Sequence, residues 1–339
     1  NLMQSLDDEL VDRYLGKKQE AVFAVVKPSE SHATLSQLAQ DLYYLINKFN
    51  NISATESMSS FKLLVRLFRE QCITQEQDGE KVAVAKPNKN VPSDSLQNPS
   101  DPDAGYSGHK GKGYQVQVME TYDPESSEDS LSLITYVEVE SADRSDANAL
   151  IPALEQSAEK NMAPRELLAD SLYGSDDNCE QAKADHGVDL IAPVMGNTPK
   201  GLGLEDFILD DDGYIITCPL GCSPVKMNHK KRFNAAFSLS DCQGCPLQDD
   251  CPVNPGKKAA YLRYSAKDVR LASRRRYEKT DAFLGKYRYR AGVEATMSEY
   301  DRRTGGKKLR VRGMKAVSFA AVLKAIGVNI RRAAVFRKR

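Results

Sequence analysis

The chain contains no apolar run approaching the roughly 18 residues of a membrane span, no signal peptide at its start and no internal repeat. Membrane and secreted classes are therefore set aside. It begins at Asn1 rather than Met, which leaves the completeness of its N-terminus open. It also lacks a net charge, because 47 Lys/Arg balance 47 Asp/Glu. That balance argues against a protein that does nothing but coat DNA. The charges are unevenly placed, however: residues 257–339 hold 25 Lys/Arg against 6 Asp/Glu, and the remainder holds 22 against 41. A basic tail of that size implies a polyanionic partner, with a self-balancing solvated surface as the plainer alternative.

What is present is ordinary globular material, 41% hydrophobic and 28% charged over 339 residues, enough for about two domains. Five of the seven cysteines fall between Cys218 and Cys251. An odd total without a secretion signal favours a cytosolic metal site over a disulfide framework. The expected location is the bacterial cytoplasm, in association with the nucleoid.

Apolar residues recur at helical spacing at Leu35, Leu38, Leu42, Leu45 and Phe49, and again at Phe61, Leu64, Val65 and Phe68, predicting an N-terminal helical region over 1–72. Residues 73–99 are polar, with Pro87, Pro92 and Pro99, and read as a linker or long loop. Alternation then predicts strands over 112–122 and 133–140, joined by an Asp/Ser-rich connection. A helix over 145–160, a short strand ending at Asp170, another helix and a strand over 188–194 follow. This order predicts an α/β domain with a mixed sheet and flanking helices. The cysteine-rich segment 196–264 breaks the pattern as an insertion, so the domain resumes over 265–339. One helix is expected over 265–303 and a last one over 314–332.

Asp101 and Asp103 lie in SDPDAG, Asp170 ends a strand, and Glu294 lies on a helix among Arg288, Arg290, Arg302 and Arg303. Carboxylates at strand ends and on a packed helix face can converge although remote in sequence. Mg²⁺ favours such oxygen ligands and completes its shell with water and substrate phosphates. Two such ions about 3.5–4 Å apart suit in-line phosphoryl transfer. Plainer readings stand beside this one: Asp101 and Asp103 flank a proline and suit a turn, and Arg290 with Glu294 suits an ordinary i,i+4 salt bridge.

From about Asn98 to Arg332 the chain resembles the DDE transposases of bacterial insertion sequences. The resemblance rests on NPSDPDAGYSGHKGKGYQVQ, LLADSLYGS and YRYRAGVEATMSEYDRR. Tyr287, Arg290 and Glu294 fit the family's helix signature at its spacing. Its later lysine is here Asp301, followed by Arg302, and its glycine before Tyr173 is Leu172, with Ser175 retained. The resemblance implies a ribonuclease H-like fold. It implies catalytic acids at Asp101, Asp170 and Glu294 that hold Mg²⁺ or Mn²⁺, with Asp101 preferred to Asp103 as the first. DNA contacts are expected from Tyr287, Arg288, Arg290, Arg302, Arg303, Arg310 and Arg312, in a homodimeric synaptic complex. The function expected is cleavage of transposon ends and strand transfer into target DNA. A DNA-binding protein without catalysis, or a metal-dependent nuclease, is the alternative.

Cys218, Cys242, Cys245 and Cys251 form a set that suits one structural zinc, with Cys222 competing for the place of Cys218. An iron–sulfur cluster and unliganded thiols are the rivals. His186 and His229 read as ordinary surface or core histidines.

Overall fold

The computed structural model describes residues 5–15, 26–123, 130–197 and 200–338. The helices α1 (Asp8–Leu15), α2 (Ser31–Phe49), α3 (Ser53–Glu56) and α4 (Ser59–Gln71) come first. The hairpin β1 (Cys72–Gln77) and β2 (Glu80–Ala85) follows, and then β3 (Gly105–Ser107), β4 (Gly111–Glu120) and β5 (Ile134–Ser141). Next are α5 (Leu150–Glu159), β6 (Glu166–Leu168), α6 (Asp176–His186) and β7 (Asp189–Ile191). The cysteine-bearing segment contains β8 (Ile208–Leu209), β9 (Ile215–Thr217), β10 (Lys226–His229), β11 (Phe233–Phe237), α7 (Leu239–Gln243), β12 (Asn254–Pro255) and β13 (Ala260–Tyr264). The chain then runs through α8 (Ala266–Glu278), α9 (Asp281–Tyr287), α10 (Ala291–Thr304) and α11 (Met314–Phe336).

The result is a mixed α/β protein with several small sheets. β3, β4 and β5 form one ladder in that order, while β6 and β7 pair in parallel as a separate two-stranded sheet. The single mixed sheet expected from the strand order is thus divided among the described residues. Residues 124–129 of the Asp/Ser-rich connection lie outside the described residues.

Contacts divide the chain into two compact units. The first comprises Asn1–Val116, Val139–Arg144 and Leu309–Ala320; the second comprises Gln117–Glu138, Ser145–Lys308 and Ala321–Arg339. Both units are discontinuous in sequence. Within the first unit the reason is local. β3 pairs with the start of β4, the Ala142 N–H donates to Gly113 O at 3.1 Å, and the N-terminus of α11 is held by Asp101 and Asp103.

In the first unit, Ala39, Cys72 and Ala83 form a small core with Tyr43 and Phe68 against it. The expected helical stripe is shifted, since Leu35 is exposed while Ala39 is buried. The stretch read as a linker contains the β1–β2 hairpin. Its two-residue loop, Asp78-Gly79, has φ of 51° and 84°, as a type I′ turn requires.

In the second unit, Leu150, Leu154, Ala182 and Val188 pack α5 and α6 on the β6–β7 ladder. Ile134, Tyr300, Ala325 and Val328 join β5, α10 and α11. The cysteine-bearing segment has its own core of Phe207, Ile215, Phe233, Phe237 and Tyr264 among others. His229, at the exposed surface of this segment, stacks on Phe233 at 3.9 Å between ring centroids. The single helix expected over 265–303 is broken in two places. Thr280 caps α9 by accepting the Phe283 N–H at 3.2 Å, and a 3-10 turn spans Arg288–Arg290.

Candidate active site

Asp170 stands two residues beyond β6, where the Ala169 N–H still donates to Ile191 O at 3.1 Å. The chain then turns sharply. Asp170 Oδ1 accepts the Leu172 N–H at 2.9 Å, and its carbonyl accepts the Tyr173 N–H at 3.2 Å. Gly174 is required there, because a Cβ would sit 1.8 Å from Pro193 O. Ser175 caps α6 by accepting the Asn178 N–H at 3.1 Å, and Tyr173 donates to Gln117 Oε1 of β4 at 2.6 Å. Behind the turn, Asp176 is 3% exposed and takes two bonds from Arg270 of α8, at 3.1 and 2.6 Å. This paired network fixes the half-buried Asp170 on a rigid scaffold.

Glu294 lies in the first turn of α10, where a carboxylate also favours the helix dipole. Its side chain is 66% exposed and pairs with Arg290 at 2.9 Å, so the salt bridge expected as the plainer reading is present. Tyr287 lies within electrostatic reach of both acids. Its ring stacks on Phe283 at 5.1 Å, and burial pushes its hydroxyl above the ordinary tyrosine value. Arg290 opposes that shift, while Asp170, Glu278 and Glu294 add to it. Asp170 and Glu294 therefore both act electrostatically on Tyr287. An ion pair between Lys286 and Glu166 also ties α9 to β6.

The first acid belongs to the other unit. Asp101 is 8% exposed and accepts the Tyr114 hydroxyl at 2.5 Å and the Gly313 N–H at 3.0 Å. Asp103 accepts the Met314 N–H at 2.8 Å and so caps α11. Arg310 and Arg312 lie in this unit and are exposed. Among the described residues, no three His, Cys, Asp or Glu side chains are gathered closely enough to hold a metal ion as they stand.

The remaining cations differ in how far they are engaged. Arg288 lies over the Tyr289 ring, 4.9 Å from its centroid. Arg303 pairs with Glu299 at 3.2 Å, and Arg302 bonds Ser298 O of its own helix at 3.3 Å. Asp301, at the position of the family's lysine, accepts the Lys307 N–H at 3.0 Å and so shapes the loop after α10.

A buried polar cluster that sequence reasoning missed holds α10 in place. Arg332 donates to Glu120 Oε2 at 3.0 Å, Glu299 Oε2 at 3.0 Å and Thr296 Oγ1 at 2.6 Å. Thr296 in turn donates to Glu120 Oε2 at 2.5 Å. The available signal was Glu120, a charged residue inside an alternating strand pattern.

No curated protein and no solved structure matches the chain. Residues 217–334, which include Tyr287, Arg290, Glu294 and all five clustered cysteines but neither Asp101 nor Asp170, match the family model described as "Transposase DDE domain", a similarity that points to transposase-type activity on DNA.

Proposed function

We propose that the protein is a DNA transposase that cleaves transposon ends and joins them to target DNA, with Asp101, Asp170 and Glu294 as its acids. The observation that carries this reading is the match of residues 217–334, with Tyr287, Arg290 and Glu294 inside it, to the transposase family model; the charges of Asp170 and Glu294, which both act on the Tyr287 hydroxyl, support it. Hydrolysis releases a 3′-hydroxyl at the element's end, and that hydroxyl then attacks a target phosphodiester. Each step exchanges one phosphodiester for another or for a terminus, so neither needs an external energy source or a covalent protein intermediate.

The donor set fits a hard divalent cation, since all three candidates are carboxylates. Mg²⁺ or Mn²⁺ bound there would supply activation of the attacking oxygen and stabilisation of the leaving one. The chain's own residues perform the other tasks. The rigid turn after β6 orients Asp170. Arg290 holds Glu294 in place through their salt bridge. Arg288, Arg302 and Arg303 offer positive charge to phosphates beside the second and third acids, and Arg310 and Arg312 offer it in the unit that carries Asp101. Phosphate contacts of this kind position DNA without reading its sequence. Function as a homodimer on paired ends belongs to the same proposal.

A second reading, a DNA-binding protein without catalysis, is favoured by the bonds that Tyr114 and Gly313 already make to Asp101. One assay separates the two readings: Mg²⁺-dependent cleavage of DNA carrying the element's own ends. Cleavage by the wild type and its loss in Glu294→Gln support the enzyme. Tight binding with no cleavage by the wild type supports the second reading.

A further inference from the structure

The cysteine-bearing segment carries a feature that DNA cleavage does not use. The thiols of Cys218, Cys222, Cys242, Cys245 and Cys251 all line one cavity of about 40 Å³, and none is in a disulfide. A space of that size admits an ion or a water but no organic ligand. Its other walls are largely apolar, with Leu220, Phe237 and Val253 among them, so they offer little to satisfy a thiolate.

Two tight turns present the sulfurs. In the first, the Cys218 N–H donates to Cys222 O at 2.9 Å and the Gly221 N–H to Cys218 O at 2.8 Å. Gly221 has φ of 83°, a left-handed conformation that favours glycine. In the second, at the end of α7, the Cys245 N–H donates to Cys242 O at 3.3 Å. Cys251 follows a short 3-10 turn, its N–H on Gln248 O at 3.3 Å. The five thiols are not equivalent. Cys242 has Cys251, Cys245 and Cys218 within electrostatic reach, and Cys251 has Cys245 and Cys218. Cys222 has Cys218 and Cys245 as its thiol neighbours. Cys218, Cys242 and Cys251 also pack against the segment's aromatic core.

We propose that Cys218, Cys242, Cys245 and Cys251 bind one zinc ion as four thiolates, with Cys222 a spare thiol beside the site. Zinc accepts four sulfurs tetrahedrally at about 2.3 Å, and soft thiolates select it over the hard cations used for phosphoryl transfer. Each thiol gives up its proton to solvent as its bond to zinc forms. Among the described residues no three such side chains are gathered around one point as they stand, so binding would draw the sulfurs together. Four protein ligands leave no open position, so the ion is structural. It joins the loop of Cys218 to the loops of Cys242 and Cys251, and so fastens the edge of the segment's core.

The test is metal analysis of the purified full chain together with Cys→Ser variants. About one zinc per chain is expected, retained in Cys222→Ser and lost in Cys242→Ser, Cys245→Ser and Cys251→Ser. Wild-type protein without stoichiometric zinc, with all seven thiols reacting freely, would overturn the proposal, as would bound iron in its place. A Cys222→Ser variant that loses zinc while Cys251→Ser keeps it would overturn the ligand set. Because a serine variant can fail to fold, wild-type protein stripped by chelator is also titrated with Co²⁺. A thiolate-to-cobalt charge-transfer band that saturates at about one equivalent supports the site, and absence of that band refutes it. Neither readout depends on DNA cleavage.

Discussion

Asp101 and Asp103 are separated by a single proline, yet their carboxylates serve different atoms. Asp103 holds the first N–H of α11, the work of a helix cap, which is worth about 1 kcal/mol. Asp101 accepts the Tyr114 hydroxyl and the Gly313 N–H. Burial and this bond push the Tyr114 hydroxyl above its ordinary range, so it stays a donor at any physiological pH. Asp103→Ala is expected to lower stability by about 1 kcal/mol and to leave cleavage intact at permissive temperature. Asp101→Asn is expected to abolish cleavage and change the melting temperature little. Thermal denaturation alongside a single-turnover cleavage assay checks both, and the reverse pattern would make Asp103 the first acid. Asp170→Asn should likewise lose cleavage while DNA affinity persists, because binding is spread over many phosphates. Retained Mg²⁺-dependent cleavage in that variant would remove Asp170 from the site. The candidate acids were proposed from their motifs together with the family resemblance. The division of labour between Asp101 and Asp103 was not legible, because their backbone partners, Gly313 and Met314, lie more than 200 residues along the chain.

At the level of the element, α10 is held by its charged inner face as well as by Tyr300. The Arg332 and Glu120 side chains are 15% and 8% exposed, so losing one partner strands the other charge in a poorly solvated place. Arg332→Met is expected to destabilise the protein by about 3 kcal/mol, and adding Glu120→Gln should recover part of that loss. Urea denaturation of the two variants checks this, and no recovery would mean that the pair is not coupled. Glu299 gives the cluster a pH dependence. Burial alone would raise its pKa, but the hydrogen bonds and charges of Arg332, Arg303 and Arg331 prevail and hold it below the ordinary 4.5. Its contribution is therefore complete above the unfolded-state value and lost as pH falls through the lower folded-state value. Stability should decline below about pH 4.5, less steeply in Glu299→Gln, and equal slopes would assign the effect to other carboxylates. Strands β4 and β5 were readable because their sequences alternate apolar and polar residues. The β1–β2 hairpin was not, since β1 is exposed over five of its six residues and its alternation carries no apolar signal. The Arg332 cluster escaped for another reason: its members are far apart in sequence, and only the folded chain brings them together.

For the molecule as a whole, the basic excess beyond residue 257 is shared between the two units. Arg310 and Arg312 belong to the unit of Asp101, whereas Arg288, Arg302 and Arg303 belong to that of Asp170 and Glu294. Replacing Arg310 and Arg312 with Glu is expected to weaken DNA binding and to flatten its logarithmic salt slope by about 1.8, at about 0.9 per phosphate contact. Fluorescence anisotropy across a salt series measures both quantities, and unchanged values would exclude these arginines from the DNA surface. The Gly313 N–H on Asp101 also has a meaning in time. The residue and its backbone partner are 212 positions apart, so a ribosome finishes most of the protein between making one and making the other. A nascent chain carries Asp101 long before it has the peptide that completes its surroundings. Fragments that stop short of Gly313 would therefore possess the acid without its setting, which arrives only with the late part of synthesis.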